Sequence, residues 1–206
     1  MNPENNGATL EDGILPRFEC TKCGACCRDE YLLVTVTGSD IVKISAVLGL
    51  GPDEILKALD FYIVSDGQTT PVGLERISSV ATERGLAFMA LKKMENGDCI
   101  FLKEDLCMIH PVRPLVCRSF PFVFTESEGQ RNWGLSAKKE ICPGLGTGPL
   151  ISEDDIKELA ESILPDMRIY KEFTEEWNEN QTSPTVLELL KALLDDPRFY
   201  GLENLV

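Results

Sequence analysis

The amino-acid sequence predicts an α+β fold: a small antiparallel sheet with cysteine-rich metal-binding loops, followed by a C-terminal helical extension. Three patterns support this prediction. All eight cysteines lie before residue 150. Short runs with a two-residue alternation occur in the same part of the chain, whereas a helical period dominates from Ser152 onward. We therefore expect a cysteine-cluster domain over residues 13–149 and an acidic helical extension over residues 150–206 that packs on it.

The overall charge excludes several classes of partner. The 206 residues include 20 Lys and Arg against 34 Asp and Glu, which gives a formal net charge of −14. Such an excess of acids repels the phosphates of nucleic acids and anionic membrane surfaces.

No run approaches the roughly 18 apolar residues of a membrane-spanning helix, and the polar start MNPENNGATLEDG lacks the basic and apolar segments of a secretory signal. The expected location is the cytoplasm, with neither nucleic acid nor membrane as a partner.

The part of the chain after the first cysteines carries strand and helix signals. The run YLLVTVT alternates briefly like a strand, and Ser39 is placed to cap the helix that follows. Gly49 is expected to end this helix. Pro52 then begins a second, short helix that reaches Leu59.

Three turn dipeptides predict β-hairpins: Asp66-Gly67, Asn96-Gly97 and Glu128-Gly129. Asn-Gly is among the preferred two-residue hairpin turns. Cys99 is therefore expected to open the strand that returns from Asn96-Gly97, and Cys107 to follow after a polar turn. These strands would form the sheet behind the metal loops.

Helical signals dominate from Ser152 onward. Ser152 with Asp155 three residues later is typical of a capping box. A second helix is expected after Pro165, and a third from Ser183-Pro184, closed before Pro197. Their apolar stripes are expected to face the core, although periodicity alone does not distinguish a core face from a partner-binding groove.

The cysteines are the residues best suited to carry chemistry. Half of them fall within the segment FECTKCGACC. An even number could indicate disulfides, but no export signal is visible and adjacent cysteines pair poorly with each other. Thiolates spaced C-x-x-C converge on one side of a tight turn, as tetrahedral metal ions and iron–sulfur clusters require. We therefore expect all eight to be metal ligands: Cys20, Cys23, Cys26, Cys27, Cys99, Cys107, Cys117 and Cys142.

The spacing of the cysteines indicates two ligand sets. Cys20, Cys23 and Cys26 follow the C-x2-C-x2-C run of bacterial ferredoxins, in which a remote Cys followed by Pro completes a ligand set. Cys142-Pro143 is such a pair. The remaining set comprises Cys27, Cys99, Cys107 and Cys117, with His110 as a further candidate because Cys107-x-x-His110 has zinc-compatible spacing. A single site with spare thiols is the alternative.

Residues around the cysteines fit this interpretation. Pro114 is suited to the first position of a short helical turn that ends near Phe120 and directs Cys117 and nearby N–H groups toward the same centre. Nearby cations and donors stabilise thiolates and sulfur clusters. The candidate cations are Arg17, Lys22, Arg28, Arg113 and Arg118.

Two stretches carry a family resemblance: Cys20-x-x-Cys23-Gly24-x-Cys26-Cys27, and Cys99-x-Phe101-Leu102 followed by Cys107 and Arg113-Pro114-x-x-Cys117-Arg118-x-Phe120-Pro121. They resemble the CxxCxxCC family of zinc- or iron-chelating domains, the YkgJ-like cysteine-cluster proteins. The resemblance covers about residues 18–145. It implies a bound iron–sulfur cluster or zinc, in a family that includes flagellin lysine methylase-like members.

The sequence favours metal binding over any particular reaction. No catalytic residue can be named, and the glycine-rich segment 144–148 lacks the preceding strand of a nucleotide loop, so we expect it to be a flexible connector. The favoured cofactor is an iron–sulfur cluster, 4Fe–4S, with an electron-transfer or redox role and an unknown redox or protein partner. Two alternatives stay open: a zinc-binding structural or interaction module without turnover, and a protein lysine methylase-like enzyme.

Overall fold

A computed structural model describes residues 15–63, 74, 77–127, 130–180 and 182–200. It confirms the α+β class. The elements in chain order are β1 (Arg17–Phe18), α1 (Ala25–Arg28), α2 (Gly38–Leu48), α3 (Pro52–Leu56), β2 (Leu59–Ile63), β3 (Val80–Thr82), β4 (Gly85–Leu91), β5 (Leu102–Lys103), β6 (Leu106–Cys107), a 3-10 helix (His110–Val112), α4 (Leu115–Ser119), β7 (Phe122–Ser127), β8 (Gln130–Leu135), β9 (Leu145–Leu150), α5 (Glu153–Glu161), α6 (Leu164–Asn180), α7 (Val186–Asp195) and a final 3-10 helix (Pro197–Phe199). In this part of the chain, no helix is both long and apolar enough to cross a lipid bilayer.

The strands form several small antiparallel sheets instead of one. Within the described residues the largest sheet has the order β2-β4-β3, and the other pairs are β1 with β9, β5 with β6, and β7 with β8. Strands β1 and β9 come from distant parts of the chain, with Phe18 opposite Leu145. Their pairing brings the cysteine loop that follows β1 beside the segment that contains Cys142.

Helix α2 begins two residues earlier than the position predicted from Ser39. Thr37 is the cap, with extended backbone, and its Oγ1 accepts a hydrogen bond from the Asp40 N–H at 3.3 Å. Asp40 returns the bond by accepting from the Thr37 N–H at 2.9 Å, which completes a capping box. The predicted end is confirmed at Gly49, which is left-handed. Leu59 is not part of the short helix from Pro52, because it opens β2.

The Asn96-Gly97 turn is confirmed, but Cys99 does not open a strand. The Met94 N–H donates to Asp98 O at 2.7 Å, and Cys99 forms a single bridge with Lys93. The Ile100 N–H still donates to Lys92 O at 3.0 Å, and the Cys99 N–H, on the other edge of the returning chain, donates to Cys27 O at 2.8 Å. The returning chain therefore pairs with both the hairpin and the cysteine loop.

Of the other two predicted turns, the structure describes the strands on both sides of Glu128-Gly129 but not the turn at Asp66-Gly67. Strands β7 and β8 pair in register from Phe122 opposite Leu135 to Ser127 opposite Gln130, as expected for a hairpin around residues 128–129, which themselves lie outside the described residues. The turn predicted at Asp66-Gly67 also lies outside them.

The C-terminal helices share a core with the N-terminal half. Tyr170 and Phe173 of α6 and Leu189 and Leu193 of α7 belong to the same buried cluster as Ile41 of α2. The core-facing role of these apolar stripes is therefore confirmed, while the division of the chain at residue 150 stays a prediction.

The predicted helix starts are close to the observed ones. The capping box of Ser152 and Asp155 is confirmed. Helix α6 already includes Leu164, and α7 begins at Val186, where Thr185 and Glu188 form a third capping box in place of the predicted start at Ser183-Pro184.

The glycine-rich segment 144–148 is not a flexible connector, which corrects the sequence prediction. Most of it forms β9 against β1, and the Glu19 N–H donates to Gly144 O at 3.3 Å. A Cβ on Gly144 would lie 2.3 Å from Glu19 O, and one on Gly148 would lie 2.4 Å from Glu19 Cβ. Glycine is needed here because the cysteine loop passes too close for a side chain.

Gly144→Ala should lower the free energy of unfolding by about 1–3 kcal/mol, because the added methyl group must displace the Glu19 backbone. Gly134→Ala is the matched control, since its Cβ would meet Val123 Cγ2 at 3.8 Å, an ordinary contact distance. Urea unfolding measures both variants. Equal stability of Gly144→Ala and the unmodified protein would show that β1 and β9 are not packed this closely.

Candidate metal centre

The cysteine loop begins directly after β1. Gly24 is left-handed (φ 70°, ψ 4°), and the Cys27 N–H donates to Gly24 O at 2.9 Å, which starts the single turn α1. Cys20 and Cys23 precede this turn and are exposed, whereas Cys26 and Cys27 lie within it and are partly buried. Because neighbouring residues of a helix point about 100° apart, Cys26 and Cys27 face different directions.

Four thiols share one neighbourhood at the main core, and we refer to them as the inner thiols: Cys27, Cys99, Cys107 and Cys117. Cys99 is buried in the largest hydrophobic cluster, and the other three pack against that cluster. Burial raises the pKa of Cys117 well above its ordinary value, and the inner thiols around it raise the pKa further. Burial also raises the pKa of Cys99, with added contributions from the thiols of Cys27 and Cys107. The inner thiols therefore lie within electrostatic range of one another.

The other four thiols lie on the outer side of the cysteine loop, and we refer to them as the outer thiols: Cys20, Cys23, Cys26 and Cys142. Burial raises the pKa of Cys142, and the neighbouring thiols of Cys20 and Cys23 add to this rise. Cys142 belongs to a separate small cluster with Ala137 and Leu145, against which Phe18 packs. Cys142 therefore lies within electrostatic range of Cys20 and Cys23, and the grouping of these four thiols as one ligand set stays a prediction.

Cys26 and Cys27 join the two neighbourhoods. A hydrogen bond from the Cys27 thiol lowers the pKa of Cys26, while burial and the thiols of Cys117, Cys20 and Cys142 oppose this effect. The pKa of Cys26 is thus affected by two inner thiols, Cys27 and Cys117, and by two outer thiols, Cys20 and Cys142. The same hydrogen bond, with Cys27 as the donor, raises the pKa of Cys27.

The eight thiols are suitable ligands for a metal that prefers sulfur, although their side chains are not arranged around a common centre. All eight cysteines are free. Within the described residues, no three His, Cys, Asp or Glu side chains already stand in the arrangement of a metal site. Neighbouring thiolates repel one another, and burial disfavours each of them, so a bound cation would stabilise the deprotonated set.

Arg28 is the predicted cation that contacts the cysteine loop most directly. Its Nη1 donates to Cys23 O at 2.8 Å, and its guanidinium forms an ion pair with Asp105 in the β5–β6 turn. Arg17 instead binds β9, where its Nη1 donates to Gly148 O at 2.8 Å. Arg28 therefore ties α1 to the hairpin that carries Cys107.

Lys93 is a second cation at the inner thiols, and the sequence interpretation missed it. Its Nζ donates to Cys27 O at 3.3 Å and to Asp29 O at 2.7 Å. The Cys26 hydrogen bond and burial raise the pKa of Cys27, and the charges of Lys93 and Arg28 oppose this rise. No local pattern marks Lys93, because the hairpin and not sequence proximity brings it to the loop.

The structure places His110 against Arg113. The Arg113 guanidinium lies 2.5 Å from Nε2 and 3.3 Å from Nδ1 of the imidazole. Burial lowers the pKa of His110, and the charges of Arg113 and Lys22 lower it further. A role for His110 as a metal ligand stays a prediction.

Two buried acids beneath α4 were also missed by the sequence interpretation. Asp40 is 3% exposed, and its Oδ1 accepts from the Leu115 N–H at 3.0 Å. Burial raises the pKa of Asp40 to about 6. Asp166 is 4% exposed, and burial raises its pKa against the opposing charges of Lys43 and Arg118. Asp40 could be identified from sequence only as a capping residue of its own helix.

In the reduced, metal-free protein, iodoacetamide should alkylate Cys20 and Cys23 first and Cys117 last. Cys23 is exposed, and hydrogen bonds from Thr21 and the Ala25 backbone lower its pKa, so a larger fraction is thiolate at neutral pH. Burial has the opposite effect on Cys117. Peptide mass spectrometry over time measures the order, with urea-unfolded protein as the control. Equal rates at Cys23 and Cys117 in the folded chain would contradict this placement.

Comparison with known proteins agrees with the cysteine pattern. Residues 19–143 match the family described as "Putative zinc- or iron-chelating domain", CxxCxxCC. An uncharacterized protein of Methanocaldococcus jannaschii is 32% identical over 155 residues, which cover 71% of this chain and 68% of the relative. No solved structure matches the chain. The family match spans more than half of the chain and includes all eight cysteines, and the chain therefore belongs to the CxxCxxCC family of metal-chelating domains.

Proposed function

We propose that this protein binds metal at two thiolate sites and acts in one-electron transfer or redox sensing. In this proposal the outer thiols hold a 4Fe–4S cluster, and the inner thiols hold a separate ion, with zinc as the expected metal. Membership of a zinc- or iron-chelating family supports metal binding. The ferredoxin-like spacing of the outer thiols supports iron and sulfide at that set.

The observation that carries the proposal is the separation of the thiols by their neighbours. Cys99 is buried in the main core, and Cys27, Cys107 and Cys117 pack against that core, as suits a structural zinc site with no open coordination position. In the outer set Cys20 and Cys23 are exposed, Cys26 is partly buried and Cys142 is buried. Two exposed sulfurs suit exchange of electrons with a partner, whereas thiols packed at the core suit stabilisation of the fold.

Residues around the outer thiols would hold and tune the cluster. An iron–sulfur cluster supplies one-electron chemistry when bound, and hydrogen bonds to its sulfurs help to set its potential. The Leu145 N–H donates to Cys142 O at 3.0 Å. Burial raises the pKa of Cys142, and the backbone N–H groups of Gly144 and Leu145 oppose this rise, so both are placed to stabilise sulfur there. Phe18 and Phe120 pack against the cluster of residues around Cys142, so they shield this side from water. Cys20 and Cys23 leave the opposite side open.

The second candidate function is a structural or interaction module that is stabilised by zinc and catalyses no reaction. The burial of the inner thiols favours it, since a closed four-thiolate site stabilises loops and needs no redox partner. In that case zinc would occupy the outer thiols as well, and the protein would be colourless.

Cysteine variants separate the two sites. Anaerobically purified protein should contain iron, sulfide and zinc and absorb at about 400 nm. Cys142→Ser should lose iron and sulfide and keep zinc, whereas Cys117→Ser should lose zinc and show the larger drop in melting temperature, because structural zinc binding is worth about 10–16 kcal/mol in small peptides. Metal analysis and thermal unfolding measure these effects. Asp155→Asn, which changes the exposed capping box of α5, is the control and should retain both metals.

Three other results of the metal analysis would each lead to a different conclusion. Loss of the same metal in Cys142→Ser and Cys117→Ser would show one shared site. Zinc alone in the unmodified protein would contradict the iron–sulfur proposal and favour the zinc module. Full metal content in both variants would contradict cysteine ligation.

A further inference from the structure

The short helix that carries Cys117 depends on contacts from outside it. Helix α4 contains five residues, Leu115–Ser119. A helix of this length is not stable on its own, because helices below about 12 residues are marginal in water. Pro114 precedes it and contributes no N–H donor. The position of Cys117 is therefore set by whatever holds the two ends of α4.

Asp40 holds the first end. Its Oδ1 accepts from the Leu115 N–H at 3.0 Å, across 75 residues of sequence. Its Oδ2 accepts from the Thr37 N–H at 2.9 Å and from Thr37 Oγ1 at 3.1 Å. One buried carboxylate thus caps α2 and α4 together and fixes their relative position.

Asp166 of α6 holds the other end. Its Oδ2 lies 3.9 Å from Arg118 Nη2 and 3.6 Å from Lys43 Nζ. Arg118 follows Cys117 directly in α4, and Lys43 lies on α2 together with Asp40. The carboxylate of Asp166 is buried between two cations, where ion pairs are screened less than at the surface. Helices α2, α4 and α6 therefore meet at Asp40 and Asp166.

We propose that Asp40 and Asp166 are positioning residues for Cys117, which keep its thiol beside the other inner thiols in the geometry that metal binding requires. This role rests on the proposed function of the inner thiols. Mutation of outer residues that fix the orientation of a ligand typically weakens metal affinity by about 10- to 100-fold. Neither acid needs to touch the metal for this effect.

Asp155 provides a matched control. It forms the same capping box with Ser152, with bonds of 2.8 Å from the Ser152 N–H and 2.6 Å from Ser152 Oγ. It belongs to α5, and it is exposed. Asp40→Asn and Asp155→Asn therefore both weaken a capping box, but only Asp40→Asn also weakens the bond to Leu115.

The test uses full-length protein with its bound zinc, challenged by a colorimetric chelator, and cobalt(II) substituted for that zinc. Asp40→Asn should weaken zinc retention by about 10- to 100-fold, because the Cys117 thiol is no longer held in position beside the other inner thiols. For the same reason it should reduce the sulfur-to-cobalt charge-transfer absorption per cobalt. Asp155→Asn should retain zinc and the cobalt spectrum of the unmodified protein, even if its melting temperature falls. Asp166→Asn removes no helix cap, and it should lower zinc retention and the cobalt absorption as Asp40→Asn does. It serves as the second variant if Asp40→Asn fails to fold.

The outcomes separate the positioning role from the proposed function. Equal zinc retention and equal cobalt spectra in Asp40→Asn, Asp166→Asn and Asp155→Asn would overturn the positioning role and leave the metal site in place. Protein that never holds zinc or another metal at the inner thiols would overturn both.

Discussion

Residues 19–28, which carry half of the cysteines, are held at both ends by backbone hydrogen bonds to distant parts of the chain. At one end the Glu19 N–H donates to Gly144 O at 3.3 Å, and at the other Cys27 O accepts from the Cys99 N–H at 2.8 Å. The first bond lies beside Cys142 and the second joins Cys27 to Cys99. Neither bond involves sulfur, so backbone pairing brings Cys27 to Cys99, and the cysteine loop to the segment of Cys142, without any bond between thiols.

The same placement makes the thiols hard to ionise. Burial is the main reason that the pKa values of Cys99, Cys107 and Cys117 are raised, and neighbouring thiols add to the rise. A metal ion binds the thiolate and not the thiol, so metal binding at these residues must release protons to solvent. Lys93 and Arg28 reduce this cost at Cys27 because their positive charges favour the thiolate. Burial thus favours the protonated form of Cys99, Cys107 and Cys117, and a cation bound there would have to displace their protons.

Local sequence patterns predicted the features that depend on neighbouring residues. The Asn96-Gly97 turn, the capping box at Ser152 and the short helix after Pro114 were predicted correctly because each depends on a few adjacent residues. The role of the glycine-rich segment 144–148 was predicted wrongly. Its glycines are needed because Glu19, which follows the distant strand β1, passes too close for a side chain, and not because the backbone is flexible.

Contacts between distant residues explain what the sequence did not reveal at the candidate site. Asp40 has an ordinary capping position, and only the fold shows that its second oxygen binds Leu115. Lys93 reaches Cys27 only because of the hairpin. Cys99 was expected to open a strand because the turn before it was recognised, but its pairing with the first arm is limited to one bridge, and its N–H donates to the distant Cys27 carbonyl.

The adjacent pair Cys26-Cys27 has a geometric consequence for both ligand sets. On a single turn of helix, adjacent side chains point in different directions, so one turn can supply one thiol to each set. That turn begins at left-handed Gly24 and is tied by Arg28 to Asp105 of the β5–β6 hairpin. A displacement of α1 toward one set would therefore move a thiol away from the other. Two sites built this way share one rigid element, and the doubled cysteine is the part of the motif that a single four-thiolate site would not require.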